Sequence, residues 1–218
     1  MEIKVLYEDN HLIAVYKPAG ILVQGDKSGD ISLLDEVRTY IKQKYQKPGN
    51  VFVGLVHRLD RNVDGIVLFA KTSKGASRIS EQIREHKVQK TYHAWVHGTP
   101  KAAQATLVHF LVHNESNNLS QIFDTEKAGS QNAELSYELV KTEGDFSLLK
   151  INLKTGRHHQ IRAQLSHIGH PIVGDIKYGS EVQLPDQKIA LTATSLSFMT
   201  ATGDIQKELN LEAPAKSW

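Results

Sequence analysis

The stretch VHRLDRNVDGIVLFAK, residues 56–71, sets one carboxylate, Asp60, between two guanidinium groups, Arg58 and Arg61. Nearby positive charges favour the charged form of a carboxylate, so we expect Asp60 to be ionised at neutral pH. An ionised carboxylate suits a nucleophile or a stabiliser of a cation better than a general acid. A salt-bridged surface turn is the structural alternative, and this segment alone leaves both readings open.

A second candidate group lies in residues 153–162, where a strand end, a glycine turn and a basic helix start follow one another. The pattern predicts a helix over residues 156–168. Arg162 lies about a quarter turn from the apolar stripe of this helix, so its side chain can reach a cleft at the edge of the core. Arg157 and His158 extend the basic stretch, for which a solvated basic face is the alternative.

Tyr92 lies two residues after Lys90 on a predicted strand and is followed by His93. An aromatic ring beside cations suits the stacking of a splayed nucleotide base, with the cations on phosphate. An ordinary half-buried strand tyrosine is the alternative.

Histidines are frequent in the same basic region and raise the question of a metal site. They lack an H-E-x-x-H pattern, do not share one helix face, and have no obvious carboxylate to complete a site, so we predict that no metal binds. The histidines concerned are His158, His159, His167 and His170.

The elements that must position these groups are mostly short strands. Strand patterns outnumber helical patterns, and regular β-α alternation is missing, which predicts an α+β fold with a mostly antiparallel sheet in one domain over residues 1–218. Residues 113–132 are rich in Asn, Ser, Gln and Gly, and this composition predicts a hairpin excursion or a mobile loop. Helices are predicted after the N-caps Ser32 and Ser73. Strands are predicted at residues 4–7, 12–16, 65–70, 90–98, 105–112, 133–140, 146–153, 189–198 and 205–211.

Composition excludes several classes of site. The 218 residues contain no cysteine, which excludes disulfides and thiolate chemistry, and the formal net charge of +2 is too small to identify a nucleic-acid binder. The longest apolar run, residues 66–70, is too short to cross a membrane, and no signal-peptide pattern opens the chain. We therefore predict a soluble, cytoplasmic protein.

Five motifs in order resemble the RluA-type RNA pseudouridine synthases. The first is NHLIAVYKPAG, residues 10–20, which is similar to the start of the catalytic domain of that family. HRLDR-x-x-x-G, K-x-Y, TGR-x-HQIR and GHPI-x-GD-x-x-YG follow at suitable separations. The match runs from about residue 5 to Pro214, and five motifs together make it specific.

The resemblance implies the pseudouridine synthase fold, a largely antiparallel mixed sheet flanked by a few helices and loops, with a catalytic cleft across the sheet. It implies isomerisation of uridine to pseudouridine in ribosomal or transfer RNA, without cofactor or metal. By resemblance Asp60 is the catalytic aspartate, Tyr92 the active-site tyrosine, and Arg162 the basic partner of Asp60. Whether Asp60 attacks the sugar, stabilises a cation or opens the way to a glycal stays open.

A uridine in paired RNA must be flipped out of its helix to react. Arg58 is a candidate to fill the vacated place or hold the backbone, and Tyr92 can stack on the extruded base. The predicted protein is a monomer that contacts RNA and no membrane. The predicted RNA-binding residues are Arg58, Arg61, Lys90, Arg157 and His158.

Three departures from the family pattern limit the resemblance. Val63 and Asp64 stand where many relatives carry Thr-Ser, and Thr192 stands where a histidine is frequent. The pattern also begins almost at Met1, which predicts a stand-alone catalytic domain without an S4 domain. The altered turn motivates an alternative, a non-catalytic RNA-binding or folding factor. A glycosidic hydrolase with Asp64 as second carboxylate is a further alternative.

Overall fold

The computed structural model describes residues 2–27, 29–216 and 218, and in this part of the chain three α-helices and eleven strands form. The helices are α1 (Leu33–Lys44), α2 (Ser73–Arg84) and α3 (Gln160–His167). The strands are β1 (Lys4–Glu8), β2 (Leu12–Lys17), β3 (Gly54–Leu55), β4 (Asp64–Ala70), β5 (Gln89–His97), β6 (Gln104–Asn114), β7 (Leu119–Phe123), β8 (Gln131–Glu143), β9 (Phe146–Leu153), β10 (Leu191–Met199) and β11 (Gln206–Asn210). The α+β class predicted from the sequence is confirmed. The longest helices have 12 residues, so no helix of the described residues is long and apolar enough to cross a membrane.

By its internal contacts the chain divides into two compact units. The first unit contains Met1–Val88 and Ser195–Leu211, and the second contains Gln89–Thr194 and Glu212–Trp218. Each unit has antiparallel strands and a buried apolar cluster of its own. One domain over residues 1–218 stays a prediction.

In the first unit, β2 pairs with β1 on one side and with β4 on the other, antiparallel in both cases. Lys17 at the end of β2 lies opposite Gly65 near the start of β4. All seven residues of β4 are buried, as the unbroken apolar run in its sequence predicts. The buried cluster of this unit contains Leu12, Ala14, Ile66, Leu68, Ala70, Ile79, Val88, Leu196 and Phe198.

Helix caps in the first unit agree only in part with the sequence prediction. Ser32 caps α1 in a capping box with Asp35, as expected. The N-cap of α2 is Thr72, not Ser73, because the Thr72 hydroxyl accepts the Gly75 N–H at 3.1 Å. Adjacent hydroxyl residues are both good caps, so their order in the sequence could not decide between them.

In the second unit, the strands follow the order β5-β9-β8-β6-β7. Strand β7 pairs with β6 within residues 113–132, which confirms the hairpin excursion predicted there. In the pairing of β5 with β9, Lys90 lies opposite Leu153 and Tyr92 lies opposite Ile151. Ala163 of α3 packs into the buried cluster of this unit, which also contains Leu111, Ile122, Ala133 and Tyr178.

Helix α3 begins at Gln160, four residues later than predicted. His159 has a φ of 54°, in the left-handed region, and this interrupts any helix that would start at residue 156. The side chain of Gln160 also accepts the backbone N–H of Arg157 at 3.0 Å and fixes the preceding loop. Sequence periodicity could not detect this local hydrogen bond.

Candidate active site

Asp60 lies in the first unit at the start of a tight turn. Its backbone carbonyl accepts the N–H of Val63 at 3.1 Å, and its side chain is partly exposed. The turn leads directly into the buried strand β4. The carboxylate is therefore attached to a rigid part of the sheet while it stays accessible to solvent.

Lys17 holds this turn and was missed by the sequence analysis. Its side chain is fully buried, and its Nζ donates to the carbonyls of Pro18 at 3.0 Å, Arg61 at 3.0 Å and Val63 at 2.6 Å. Two of these three acceptors follow Asp60 within the turn. The available signal was a lysine that ends an otherwise apolar strand, because a buried ammonium must have several acceptors.

The two arginines beside Asp60 have different surroundings. Arg61 donates to the Gly20 carbonyl at 2.9 Å and forms an exposed ion pair with Asp30 at 2.9 Å. Arg58 is exposed, and its side chain has no hydrogen bond or ion pair within residues 2–27, 29–216 and 218. Arg58 is thus available to a ligand, and the predicted help of Arg61 to Asp60 stays a prediction.

The departure at Val63 and Asp64 lies inside the protein. Asp64 is only 6% exposed, and its carboxylate accepts the Tyr16 hydroxyl at 3.0 Å. The carboxylate of Asp64 is thus shielded from solvent. Its burial also argues against Asp64 as the second carboxylate of a hydrolase, which must reach water or the leaving group.

Arg162 lies in the second unit and is buried, with a bidentate ion pair to Asp175. Its Nε donates to one carboxylate oxygen at 2.7 Å and its Nη2 donates to the other at 2.8 Å. The guanidinium carbon lies 5.0 Å from the centre of the Tyr178 ring. Asp175 and Tyr178 were missed as site residues, although both stand in the quoted GHPI-x-GD-x-x-YG motif.

The loop before α3 is organised by the buried side chain of Gln160. Its Oε1 accepts from the Thr155 hydroxyl at 2.8 Å as well as from Arg157, and its Nε2 donates to Glu134 and Gln164. Arg157 itself is exposed and donates from Nε to the Asn132 carbonyl at 3.1 Å. The basic stretch is therefore an ordered loop and not a solvated helix face.

His158 lies between two other imidazole rings. Its ring centre is 4.0 Å from that of His113 and 3.8 Å from that of His159. His159 is buried, its Nδ1 is hydrogen-bonded to the Tyr178 hydroxyl at 2.9 Å, and burial lowers its pKa to about 2, assisted by the charge of Arg162. His159 is consequently neutral at ordinary pH. His158 and His113 are partly exposed, whereas His159 is buried.

Tyr92 and Lys90 occupy alternate positions of β5 and so point to the same face of the sheet. Tyr92 is 7% exposed. Burial lowers the pKa of Lys90, and no carboxylate of the described residues counters this shift. Because Lys90 lies opposite Leu153 at the end of β9, the pairing brings the K-x-Y motif next to the start of the basic loop.

The structure groups two histidines with a carboxylate, and only one of the two, His167, belongs to the set considered in the sequence. The ring nitrogens of His109 and His167 lie 3.8 and 2.9 Å from Asp124. Nδ1 of His109 faces the amide nitrogen of Gln164 at 3.0 Å, and that amide also donates to the Ala133 carbonyl. His109 must accept there and keep its proton on Nε2, which is the wrong tautomer for a metal ligand at that nitrogen.

The predicted site residues are therefore organised in two groups. Arg58, Asp60 and Arg61 belong to the first unit, whereas the remaining five belong to the second. A direct pairing of Asp60 with Arg162 stays a prediction. Thr192, the other departure within the described residues, is buried in β10.

Comparison with known proteins shows the family of the chain. A sequence model described as RNA pseudouridylate synthase matches residues 11–167. The ribosomal large subunit pseudouridine synthase C of Buchnera aphidicola is 33% identical over 218 residues, covering 96% of this chain and 66% of the relative. The tRNA pseudouridine synthase C of Haemophilus ducreyi is 36% identical over 190 residues, covering 82% of this chain and 75% of the relative.

Solved structures agree on the fold. The structure titled Human RNA Pseudouridylate Synthase Domain Containing 4 matches with a TM-score of 0.80 at 20% identity, over 97% of this chain and 88% of that chain. Human RNA Pseudouridylate Synthase Domain Containing 1 matches with a TM-score of 0.76 at 23% identity, over 97% and 83% of the two chains. At these identities the likeness concerns the fold alone. The sequence match over residues 11–167 shows that the chain belongs to the RNA pseudouridylate synthase family.

Proposed function

We propose that this protein converts uridine to pseudouridine in a structured RNA, with Asp60 as the reacting carboxylate. The observation that carries the proposal is the family match over residues 11–167, which contains Asp60, Tyr92 and Arg162 together. The rigid, solvent-accessible turn of Asp60 supports the same role, since a reacting group must be held in place and still meet its substrate.

The proposed reaction is an isomerisation, so its atoms balance without any added reactant. The bond from N1 of uracil to the sugar breaks, the base turns, and C5 bonds to the same sugar carbon while C5 loses a proton and N1 gains one. An ionised Asp60 can attack the sugar carbon, stabilise an oxocarbenium-like species, or open the way to a glycal. No step needs a metal or a cofactor.

Tyr92 and Lys90 are proposed to receive the extruded nucleotide. Their common face supports this role, because a ring for stacking stands next to a partly buried cation for which the described residues show no ion pair. Arg58 is proposed to enter the place that the nucleotide leaves, which its exposed side chain permits. Arg61, Arg157 and His158 are proposed to contact the RNA backbone.

Arg162 is proposed to pair with Asp60 and keep it charged and aimed. Its bidentate ion pair with Asp175 supports a positioning role, since the pair fixes the plane of the guanidinium.

The proposed substrate is ribosomal RNA or transfer RNA. The names of the relatives from Buchnera and Haemophilus support one class each. The chain spans 66% of the length of the first relative, so the target of that protein does not transfer directly. A monomeric state and a cytoplasmic location are part of the proposal.

Mapping of pseudouridine in RNA tests the proposal. Cellular RNA from a strain that lacks the gene is incubated with purified protein, and pseudouridine is mapped chemically. We expect one or a few sites to appear with wild type and none with Asp60→Asn. The control is Glu81→Gln, which removes an exposed carboxylate of α2 and leaves the sites unchanged.

Other outcomes separate the alternatives. Equal activity of Asp60→Asn would remove Asp60 from the mechanism. RNA binding without modification would favour a non-catalytic factor, and release of free uracil would favour a hydrolase.

A further inference from the structure

His57 stands where the short strand β3 ends and the Asp60 loop, residues 56–63, begins. Strand β3 has two residues, and the second of them, Leu55, lies opposite Phe69 of β4. Beyond this pair the backbone N–H of Leu68 donates to Nε2 of the His57 imidazole at 2.9 Å. In a longer β3 a backbone carbonyl would accept this N–H, so the imidazole takes the place of a strand carbonyl.

The N–H of Leu68 needs this acceptor because Leu68 lies in the core. Leu68 is 1% exposed, and a buried backbone donor that loses its acceptor is unfavourable. On the other edge of β4, Leu68 lies opposite Ala14 of β2, and its N–H points away from that strand to reach His57. The chain can therefore leave the sheet after Leu55 while the core donor stays bonded.

The hydrogen bond also defines how the ring of His57 is held. A backbone N–H can only donate, so Nε2 must accept, and the neutral ring then carries its proton on Nδ1. Nε2 therefore faces β4, and the ring plane and the backbone that bears the ring are fixed relative to the sheet.

Two neighbours of His57 make apolar contacts. Val56 packs against the buried cluster of the first unit, and Leu59 is 8% exposed. Burial of apolar surface has no preferred direction, so these contacts hold the loop close to the sheet without setting its orientation. The directional contact in this arm of the loop is the hydrogen bond of His57, three residues before Asp60.

We propose that His57 is a positioning residue: its imidazole anchors the N-terminal arm of the Asp60 loop to β4 and so sets the direction in which Asp60 faces the RNA. Lys17 holds the other arm through two backbone carbonyls. Asp60 thus lies between an imidazole anchor and an ammonium anchor. This inference rests on the proposed function, because it gives His57 a part in the same reaction.

Three variants separate the hydrogen bond from the bulk of the ring. His57→Gln places an amide oxygen near the position of Nε2, His57→Asn is too short to reach β4, and His57→Leu has no acceptor. Hydrogen exchange of the Leu68 amide should accelerate by about tenfold or more in His57→Leu and His57→Asn, and by less than about threefold in His57→Gln. The Val63 amide, which donates to the Asp60 carbonyl at 3.1 Å, should follow the same order.

Activity is measured on an RNA that wild type modifies, well below the unfolding temperature of every variant. In His57→Leu and His57→Asn, kcat should fall by about 10- to 100-fold, since a small misplacement of a reacting group has effects of this size. KM should change by less than about threefold, because the side chains proposed to contact the RNA are intact. His57→Gln should restore kcat to within about threefold of wild type.

His11→Leu is the matched control for a general loss of stability. His11 is a partly exposed histidine of the same unit, and its Nδ1 is hydrogen-bonded at 2.8 Å to the hydroxyl of Thr72, which follows the end of β4 that is remote from the Asp60 turn. This variant also loses a histidine hydrogen bond, but its kcat should stay within about twofold of wild type. An equal fall of kcat in His11→Leu, or an unchanged kcat in folded His57→Leu or His57→Asn, overturns the proposal.

A measurement on wild type keeps the proposal testable if these variants do not fold. The nitrogen-15 shifts of the His57 ring should show the proton on Nδ1, and a proton on Nε2 at neutral pH overturns the proposal. If wild type modifies no RNA, the proposed function fails. Exchange of the Val63 amide then still decides whether His57 holds the turn: acceleration in His57→Leu supports the anchor, and an unchanged rate overturns it.

Discussion

In the first unit, the turn of Asp60 is held by a buried cation, Lys17, which donates to three backbone carbonyls. In the second unit, the helix of Arg162 is held by a buried anion, Asp175, which accepts two hydrogen bonds from the guanidinium. The two regions therefore use opposite charges, and their partners differ as well. Carbonyl dipoles surround the lysine, whereas a full charge faces the arginine.

This difference matters because the two cations differ in how readily they lose a proton. Arginine stays protonated in proteins, and its planar fork matches a carboxylate in two places. The pKa of Lys17 is lowered by burial to about 8, within reach of ordinary solution conditions. The helix of Arg162 should therefore be insensitive to pH in the range where the turn of Asp60 is sensitive.

The largest change in stability is expected when the buried carboxylate of the second unit, Asp175, is made neutral. Asp175→Asn removes the carboxylate that binds the buried guanidinium of Arg162 in two places, which should cost about 3–5 kcal/mol of the free energy of unfolding. Urea denaturation at pH 7 measures the change. Glu181→Gln, an exposed carboxylate in the same unit, should change the value by less than about 0.5 kcal/mol. A similar small change in Asp175→Asn would mean that the pair is not needed to hold Arg162.

The pH dependence of stability tests the buried cation of the first unit, Lys17. Between pH 8 and 10.5 the folded chain loses the Lys17 proton before the unfolded chain does, so stability should rise with pH by up to about 3 kcal/mol from this group. Lys90 contributes in the same direction, and Lys17→Met is therefore the required reference.

Denaturation curves of wild type and Lys17→Met at pH 7.5, 8.5 and 9.5 provide the measurement. The difference in free energy of unfolding should change with pH in favour of wild type. Parallel pH dependences would show that Lys17 does not titrate in this window.

A smaller loss of stability is expected when an uncharged buried side chain of the second unit, Gln160, is removed. Gln160→Ala removes both halves of the amide that joins Thr155, Arg157 and Gln164, which should cost about 1–3 kcal/mol because buried partners lose their hydrogen bonds. Hydrogen exchange of the Arg157 amide should accelerate in this variant. Gln121→Ala, at an exposed position of β7, serves as the control and should leave that exchange rate unchanged.

The smallest effect on stability is expected for Arg58→Ala, since this side chain is exposed and has no bonded partner in the described part of the chain. Stability should change by less than about 0.5 kcal/mol. RNA affinity should fall, and the slope of its salt dependence should decrease by about one if the guanidinium contacts a phosphate. An unchanged affinity and kcat would remove Arg58 from the RNA-contacting set.

Much of this organisation could be predicted from sequence because it is local or motif-based. The alternation of polar and apolar residues in β5, the apolar run of β4 and the Ser32 cap each depend on neighbours within a few positions. The later start of α3 was not predictable, because it depends on the Gln160 side chain and on the left-handed backbone of His159. The prediction of Ser73 as the N-cap of α2 was wrong because two adjacent hydroxyl residues, Thr72 and Ser73, are both suitable caps.

The amino-acid sequence by itself determined the α+β class, the family resemblance and the three residues proposed for chemistry. These follow from residue types and their order, which any reader of the chain can see. Only the tertiary structure decided which buried groups hold them, because Lys17 meets Val63 across 46 positions and Arg162 meets Asp175 across 13. These partners are brought together by the fold, and a buried charge requires donors or acceptors wherever they lie along the chain. Neighbouring residues in the sequence therefore do not predict them.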